Sequence, residues 1–287
     1  MTHTSLKASL DRCEFILAPG VFDMMSLLFA DQKGFPALFL SGYWGMASHL
    51  GVPDAGIATY SDFIERISRM CTVAKTPIIA DADTGFGGLL NLDYTVKGYE
   101  RAGAAAIQIE DQRSPKKCGH QPGKHVVPTQ EMVTRIKVAV DARSSEDFLI
   151  VARTDAIAIE GLDSAIARGQ AYAAAGADIV FVEAPQSELD MRRICAEIPG
   201  PQMINMAHGG YTPILSAKTL EDIGYAIAII PAAPVLAALE AMDSVYNHIK
   251  AGDIDCGTKQ PLYSFESFCD LIGFPDVRAF EKKWADE

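Results

Sequence analysis

No cysteine of this chain stands in a C-x-x-C pair. The six (Cys13, Cys71, Cys118, Cys195, Cys256, Cys269) are scattered through 287 residues. That spacing excludes a zinc knot or a disulfide framework and points to reduced thiols. Positive charge is scarce: 25 Lys and Arg face 37 Asp and Glu, a net charge of -12. Nucleic acid and anionic membranes both require a positive field, so neither is expected as a partner. No apolar stretch reaches the ~20 residues of a membrane helix. Met1 to Ile16 has no apolar run behind a basic start, so no signal peptide is expected and the cytoplasm is the expected compartment.

What is present is a series of short apolar runs, each ending on a polar or charged residue. Phe15–Ala18, Ala37–Leu40, Pro77–Ala80 and Ala105–Ile109 form the first half. Phe148–Ala152, Ile179–Val182, Met203–Asn205 and Ala226–Ile230 form the second. They are too apolar for a half-exposed sheet and suit parallel strands buried on both faces. Helical stretches lie between most of them, for example Leu92 to Ala102, Glu131 to Ala142 and Leu162 to Ala175. Two segments echo each other: Ala102-Gly103-Ala104 leads into a strand ending at Glu110, and Ala175-Gly176-Ala177 into one ending at Glu183. In both, a glycine closes a helix and a strand follows at once. Repeated units of this kind predict an α/β fold, a (β/α)8 barrel spanning residues 1–287 as one domain. Residues 234–287 are expected to form extra C-terminal helices. A doubly wound open sheet is weaker, because no Gly-rich phosphate fingerprint follows the first strand.

In a barrel the C-terminal ends of the strands converge on one pocket. Here they present Ser41-Gly42-Tyr43, Asp81-Ala82-Asp83, Glu110-Asp111, Arg153-Thr154-Asp155, Glu183 and Asn205. A lone Asp at a strand end is a helix cap by default; an acid-rich set around one guanidinium outweighs that reading. Asp81, Asp83 and Glu110 offer the hard oxygens that Mg2+ or Mn2+ prefers. Arg153 is expected to clamp a carboxylate with its planar fork, and a structural ion pair with a strand-end acid is the equal alternative. Ser41 and Gly42 can offer a hydroxyl and N–H groups to an anion. Beyond Glu110 comes Lys116-Lys117-Cys118-Gly119-His120, a basic loop in which the thiol is expected near its titration point, ready to move a proton.

These segments, with Leu50 to Asp54, Asp83-Thr84-Gly85-Phe86-Gly87 and Gly210-Tyr211-Thr212-Pro213, carry a resemblance over nearly the whole chain. The sequence resembles the isocitrate lyase/phosphoenolpyruvate mutase superfamily, and the Cys-Gly-His loop its lyase branch. The resemblance implies Mg2+ (or Mn2+) held by Asp81, Asp83 and Glu110, with Asp54 in support. It implies a 2-hydroxy carboxylate contacting Ser41, Gly42 and Arg153, with Gly119, His120, Asn205 and Thr212 gripping a second carboxylate and Glu183 in the substrate set. Cys118 is then the general acid and Tyr43 the candidate base in a retro-aldol, Claisen-type cleavage of a C2–C3 bond.

Chain length and Tyr43 favour the short lyases of the 2-methylisocitrate and 2,3-dimethylmalate type, with pyruvate as product. An oxaloacetate hydrolase or decarboxylase, or a phosphonate C–P enzyme, is the alternative on the same scaffold. A homotetramer with exchanged C-terminal helices is expected. Two residues depart from the family pattern: His208, where the Asn-x-x-Glu segment carries glutamate, and Trp44 after Tyr43.

Overall fold

A computed structural model describes residues 5–256 and 261–285. The chain divides into two compact units, one ending at Ala233 and one beginning at Pro234. In the first unit, eight strands close into a parallel barrel in the order of the sequence. They are β1 (Ile16–Val21), β2 (Leu38–Leu40), β3 (Ile78–Asp81), β4 (Ala106–Glu110), β5 (Leu149–Thr154), β6 (Ile179–Val182), β7 (Gln202–Asn205) and β8 (Ile227–Ile230). The expected (β/α)8 architecture is therefore the observed one, and β1 pairs with β8 through Ile16–Ile227 to Pro19–Ile230.

Side chains alternate across a strand, and the apolar residues sort into two cores accordingly. Phe39, Ile79, Ala106, Val151, Phe181 and Met203 join Ile16, Ala18, Ile227 and Ile229 in one cluster, the barrel interior. Leu40, Ala80, Ile107, Ile150, Val180 and Ile204 belong to the larger layer between strands and helices. Truncating a residue such as the fully buried Phe181 would cost about 3–5 kcal/mol. Counting by twos from the interior residues gives Ser41, Asp81, Glu110, Arg153, Glu183 and Asn205. The pleat that builds the core thus aims these side chains into the mouth of the barrel.

The flanking helices follow from local signals. Helix α4 (Tyr60–Val73) opens with a capping box between Thr59 and Asp62. Helix α5 (Leu89–Ala102) ends at Gly103, whose φ of 91° is easy for glycine. Helices α6 (Thr129–Ala142) and α8 (Leu162–Ala174) lie where the sequence predicts them. In the second unit are α11 (opening at the boundary, Ala233–Lys250), α12 (Phe265–Leu271) and α13 (Phe274–Trp284). Among the described residues no helix is long and apolar enough to cross a membrane.

Candidate active site

The strand ends enclose a cavity of about 170 Å3. Of the residues singled out from the sequence, Ser41, Tyr43, Asp54, Asp81, Cys118, Gly119, His120, Arg153, Glu183 and Asn205 line it. Trp44 and His208 line it too, with Phe39, Phe181 and Ile229 as an apolar floor. Gly42, Asp83, Glu110 and Thr212 do not reach the cavity surface. Thr212 is buried, and its hydroxyl has no hydrogen-bond partner.

One side of the cavity is acidic. Asp81 is fixed on three sides: the Gly42 N–H donates to Oδ2 at 3.1 Å, and the Asp83 N–H and Gln108 Nε2 donate to Oδ1 at 3.0 and 3.2 Å. Gly42 has to be glycine there, since a Cβ would lie 2.8 Å from Asp81 Oδ2. Asp83 holds a left-handed backbone (φ 49°), which Asp tolerates better than most residues. Between Asp54 and Asp83 lies the Lys116 ammonium, 2.5 Å and 2.6 Å from their Oδ1 atoms. Burial works against its charge, yet Asp83, Glu110, Asp81 and Asp54 push its pKa well above the lysine range. Burial pushes Asp83 up to about 7 despite Lys116, with Asp81 and Asp54 adding to the rise. Glu110 is pushed well above the carboxylate range by burial, which Arg153 and Lys116 only partly oppose. Neither Glu110 oxygen accepts a hydrogen bond.

Among the described residues no three His, Cys, Asp or Glu side chains converge at metal-ligand spacing; the Lys116 ammonium sits among the acids. The donor set nonetheless fits a hard divalent ion. It is all oxygen and buried, its four carboxyl groups outnumber the Lys116 and Arg153 cations beside them, and Glu110 has both oxygens unpartnered.

The opposite side is neutralised. Arg153 Nε and Nη2 donate to Asp155 Oδ2 and Oδ1, both at 3.0 Å. Its Nη1 lies 3.5 Å from Glu110 and its Nη2 3.4 Å from Glu183. The fork expected to clamp substrate is therefore occupied by Asp155, the structural alternative, while Arg153 still lines the cavity. Burial would raise the Glu183 pKa, but Arg153, His120 and Asn205 outweigh it and hold the carboxyl at about 2. His120 Nδ1 accepts the Tyr211 N–H at 3.3 Å. In a neutral ring the proton then sits on Nε2, 3.3 Å from Glu183 Oε1.

The loop that carries Cys118 has a built stem. Gln112 pairs with Val126 in an antiparallel bridge. The Gln112 side chain accepts from the Lys117 N–H at 3.0 Å and donates to the Lys117 carbonyl at 2.7 Å. At the tip, Gly119 is packed so closely that a Cβ would meet Arg153 Nη2 at 2.4 Å and Glu183 Cγ at 2.6 Å.

The expectation that basic neighbours bring the thiol near its titration point is overturned. Lys116 turns into the acidic cluster, and burial pushes the Cys118 thiol up to about 11, with the His120 N–H and Arg153 only partly offsetting. Cys118 is a protonated thiol at neutral pH. Tyr43, edge-on to Trp44 at 4.5 Å, is likewise raised above 10 by burial, then by Cys118 and Asp54.

Two neighbours were given no role by the sequence, and a third, Asp155, was named only as one of the strand-end acids. Lys116 and Lys124 are buried cations, and Asp155 holds the Arg153 fork. Asp155 alone had a signal, since it continues the inward count from Arg153. Asp111, one residue out of phase with Glu110, faces the helix layer instead. It accepts from Thr154 and Tyr172 hydroxyls at 2.7 Å and from the Asp155 N–H at 3.0 Å, bracing β5 against α8.

Residues 6–250 match the phosphoenolpyruvate phosphomutase family. The chain belongs to the isocitrate lyase/phosphoenolpyruvate mutase superfamily. It is 43% identical over 284 residues to the 2,3-dimethylmalate lyase of Eubacterium barkeri, covering 99% of this chain and 98% of the relative. It is 41% identical to the 2-methylisocitrate lyase of Aeropyrum pernix, covering 98% and 89%. Among solved structures, oxaloacetate acetylhydrolase with 3,3-difluorooxalacetate superposes with a TM-score of 0.92 at 30% identity, covering 98% of this chain and 96% of that one. Phosphonopyruvate hydrolase in complex with oxalate and Mg++ gives 0.87 at 29%, covering 99% of both chains. The chain is an enzyme of this superfamily, a carbon–carbon lyase.

Proposed function

We propose that this lyase is Mg2+-dependent and cleaves the C2–C3 bond of a 2-hydroxy carboxylate of the 2,3-dimethylmalate or 2-methylisocitrate type. The products are a 2-oxo acid, pyruvate, and a second carboxylate. The observation that carries the reading is the protonated Cys118 thiol on the wall of the cavity that also exposes Asp81, Asp54 and Arg153. The C2 hydroxyl gives its proton to a base, for which Tyr43 on the same cavity wall is the candidate, and cleavage of the C2–C3 bond makes the C2 carbonyl and leaves the bond's electron pair on C3. A buried thiol held in its neutral form is the group needed to protonate that carbon.

Asp81, Asp83 and Glu110, with Asp54 in support, are the residues that would hold the ion. When bound, Mg2+ supplies Lewis-acid polarisation of the 2-oxygen. Ser41 and Gly42 lie beside Asp81, where the C1 carboxylate and C2 oxygen would dock. Arg153, with His120 and Asn205, faces the departing carboxylate and favours the charge that develops there. Gly119 closes the loop onto Arg153 and Glu183 and keeps water from the carbanion.

A branched dicarboxylate suits the cavity better than a tricarboxylate. Among the described residues Arg153 is the one arginine that lines the cavity and no lysine does, and the Arg153 fork is already bound. Little counter-charge is left for a third carboxylate, while Phe39, Phe181 and Trp44 offer apolar wall to methyl groups.

The test is product analysis of the Mg2+-loaded enzyme on 2,3-dimethylmalate, 2-methylisocitrate and oxaloacetate. Pyruvate from the first is expected. Oxalate plus acetate from oxaloacetate, with no cleavage of the branched malates, would move the chain to the hydrolase reading.

The same reading makes the enzyme a cytoplasmic homotetramer that exchanges C-terminal helices. Phe265, Phe280 and Trp284 on α12 and α13 are exposed, apolar surface that such an exchange would cover. Light scattering on the purified chain checks the subunit number.

A further inference from the structure

We propose that Lys124 is the latch that holds the Cys118 loop shut over the cavity. The inference rests on Cys118 acting there, and it names a positioning residue outside the cavity lining.

Lys124 stands in the loop stem and is buried. Its ammonium donates to the Gly119 carbonyl at the loop tip and lies 3.3 Å from Asp155 Oδ1. Asp155 in turn takes both arms of the Arg153 fork at 3.0 Å. A continuous polar chain thus runs from the backbone beside Cys118, through Lys124 and Asp155, to the guanidinium of β5.

The chain has a physical reason. Gly119 is pressed against Arg153 and Glu183 with less than a methyl group of clearance, so closure works against a steric limit and needs an attraction behind it. A buried ammonium is tolerated only while its acceptors are in place. Lifting the tip takes the Gly119 carbonyl away from Lys124, and that cost holds the closed state. His120 adds a weaker hold, with Nδ1 accepting from the Tyr211 N–H at 3.3 Å and Nε2 3.3 Å from Glu183. Lys116 pins the near end of the loop to Asp54 and Asp83. Lys124 alone of the three grips the loop backbone itself, one residue from the reactive thiol.

The test uses the full-length, Mg2+-loaded Lys124→Met variant, which keeps the unbranched shape and most of the side-chain length without the charge. Alkylation by iodoacetamide is followed at each cysteine by mass spectrometry, with exposed Cys13 as the internal reference. The Cys118 rate is expected to rise about tenfold or more relative to Cys13, as local opening becomes easier. On 2,3-dimethylmalate, kcat is expected to fall about tenfold while KM changes less than about threefold, since closure follows binding. Amide exchange should quicken over 117–123 and stay unchanged in the barrel strands. Wild-type labelling at Cys118 would overturn the proposal, and so would an equal rise at Cys71 and Cys195, which marks general loosening. If wild-type protein cleaves none of the branched malates but Cys118 labelling still responds, the latch stands and the proposed reaction falls.

Discussion

Glu110 and Glu183 are the same side chain at the ends of β4 and β6, both buried, with the Arg153 guanidinium between them at 3.5 and 3.4 Å. Their proton affinities nevertheless move in opposite directions. Glu110 accepts no hydrogen bond and has Asp155 and Asp81 as acidic neighbours, so burial prevails and its pKa rises. Glu183 faces His120 and Asn205 as well as Arg153, so burial loses and its pKa stays at about 2. Depth in the protein therefore does not decide the charge; the count of partners does. The cavity has one side short of positive charge and one side already satisfied. The first suits the proposed cation, and the second suits the proposed anionic end of the substrate.

The sharpest way to separate the two sides is to remove the proton that works between them. Cys118→Ser is expected to lower turnover at least ~100-fold while Mn2+ binding, read by calorimetry, persists. A variant with full activity would end the general-acid assignment. The state of the thiol can be tested directly. Because Cys118 titrates at about 11, its alkylation rate should climb about tenfold per pH unit from neutrality and level off only near pH 11. A plateau by pH 8 would mean an activated thiolate and break the contrast with the sequence-based expectation.

The smallest effect is the most diagnostic of the contrast. In EDTA near pH 7, Glu110→Gln removes a carboxyl whose pKa burial raises on folding, a cost to stability above the unfolded value, and is expected to raise Tm by a few degrees, with added Mg2+ no longer stabilising the variant. Glu183→Gln should lower Tm. The carboxyl falls from an ordinary 4.5 to about 2 on folding, a stabilisation of roughly 3 kcal/mol at neutral pH and on the order of 5 °C in Tm. A depressed pKa stabilises above the unfolded value and loses that effect as pH falls through the folded one. The gap between wild type and Glu183→Gln should therefore shrink between pH 4.5 and about 2. Equal and same-signed shifts for the two glutamates would refute the two-sided picture.

The strands and helices were legible in the sequence because they rest on local patterns: runs of buried apolar residues, a glycine closing helices as at Gly103 and Gly176, a polar or charged residue where most strands leave the core. The convergence of Asp81, Glu110, Arg153 and Glu183 was legible for the same reason, since two-residue alternation carries the interior register to the barrel mouth. What escaped depends on reach and not on period. Lys116 and Lys124 turn inward from an irregular loop, and nothing in the sequence says which of the adjacent Lys116 and Lys117 does so. Arg153 could clamp a ligand or Asp155; only the coordinates show the fork taken. The thiol was misjudged because its burial depends on how the loop folds back, which no local pattern encodes.

Gly119 has an ordinary backbone conformation for any amino acid, absent from the left-handed set that favours glycine. Its constraint is one of thickness. The loop seats with less room than a single carbon, so alanine at this place would act as a doorstop, propping the entrance ajar in an otherwise intact protein. A relative carrying alanine there would lose the close seat that this loop has here, whatever acids and thiols it keeps inside.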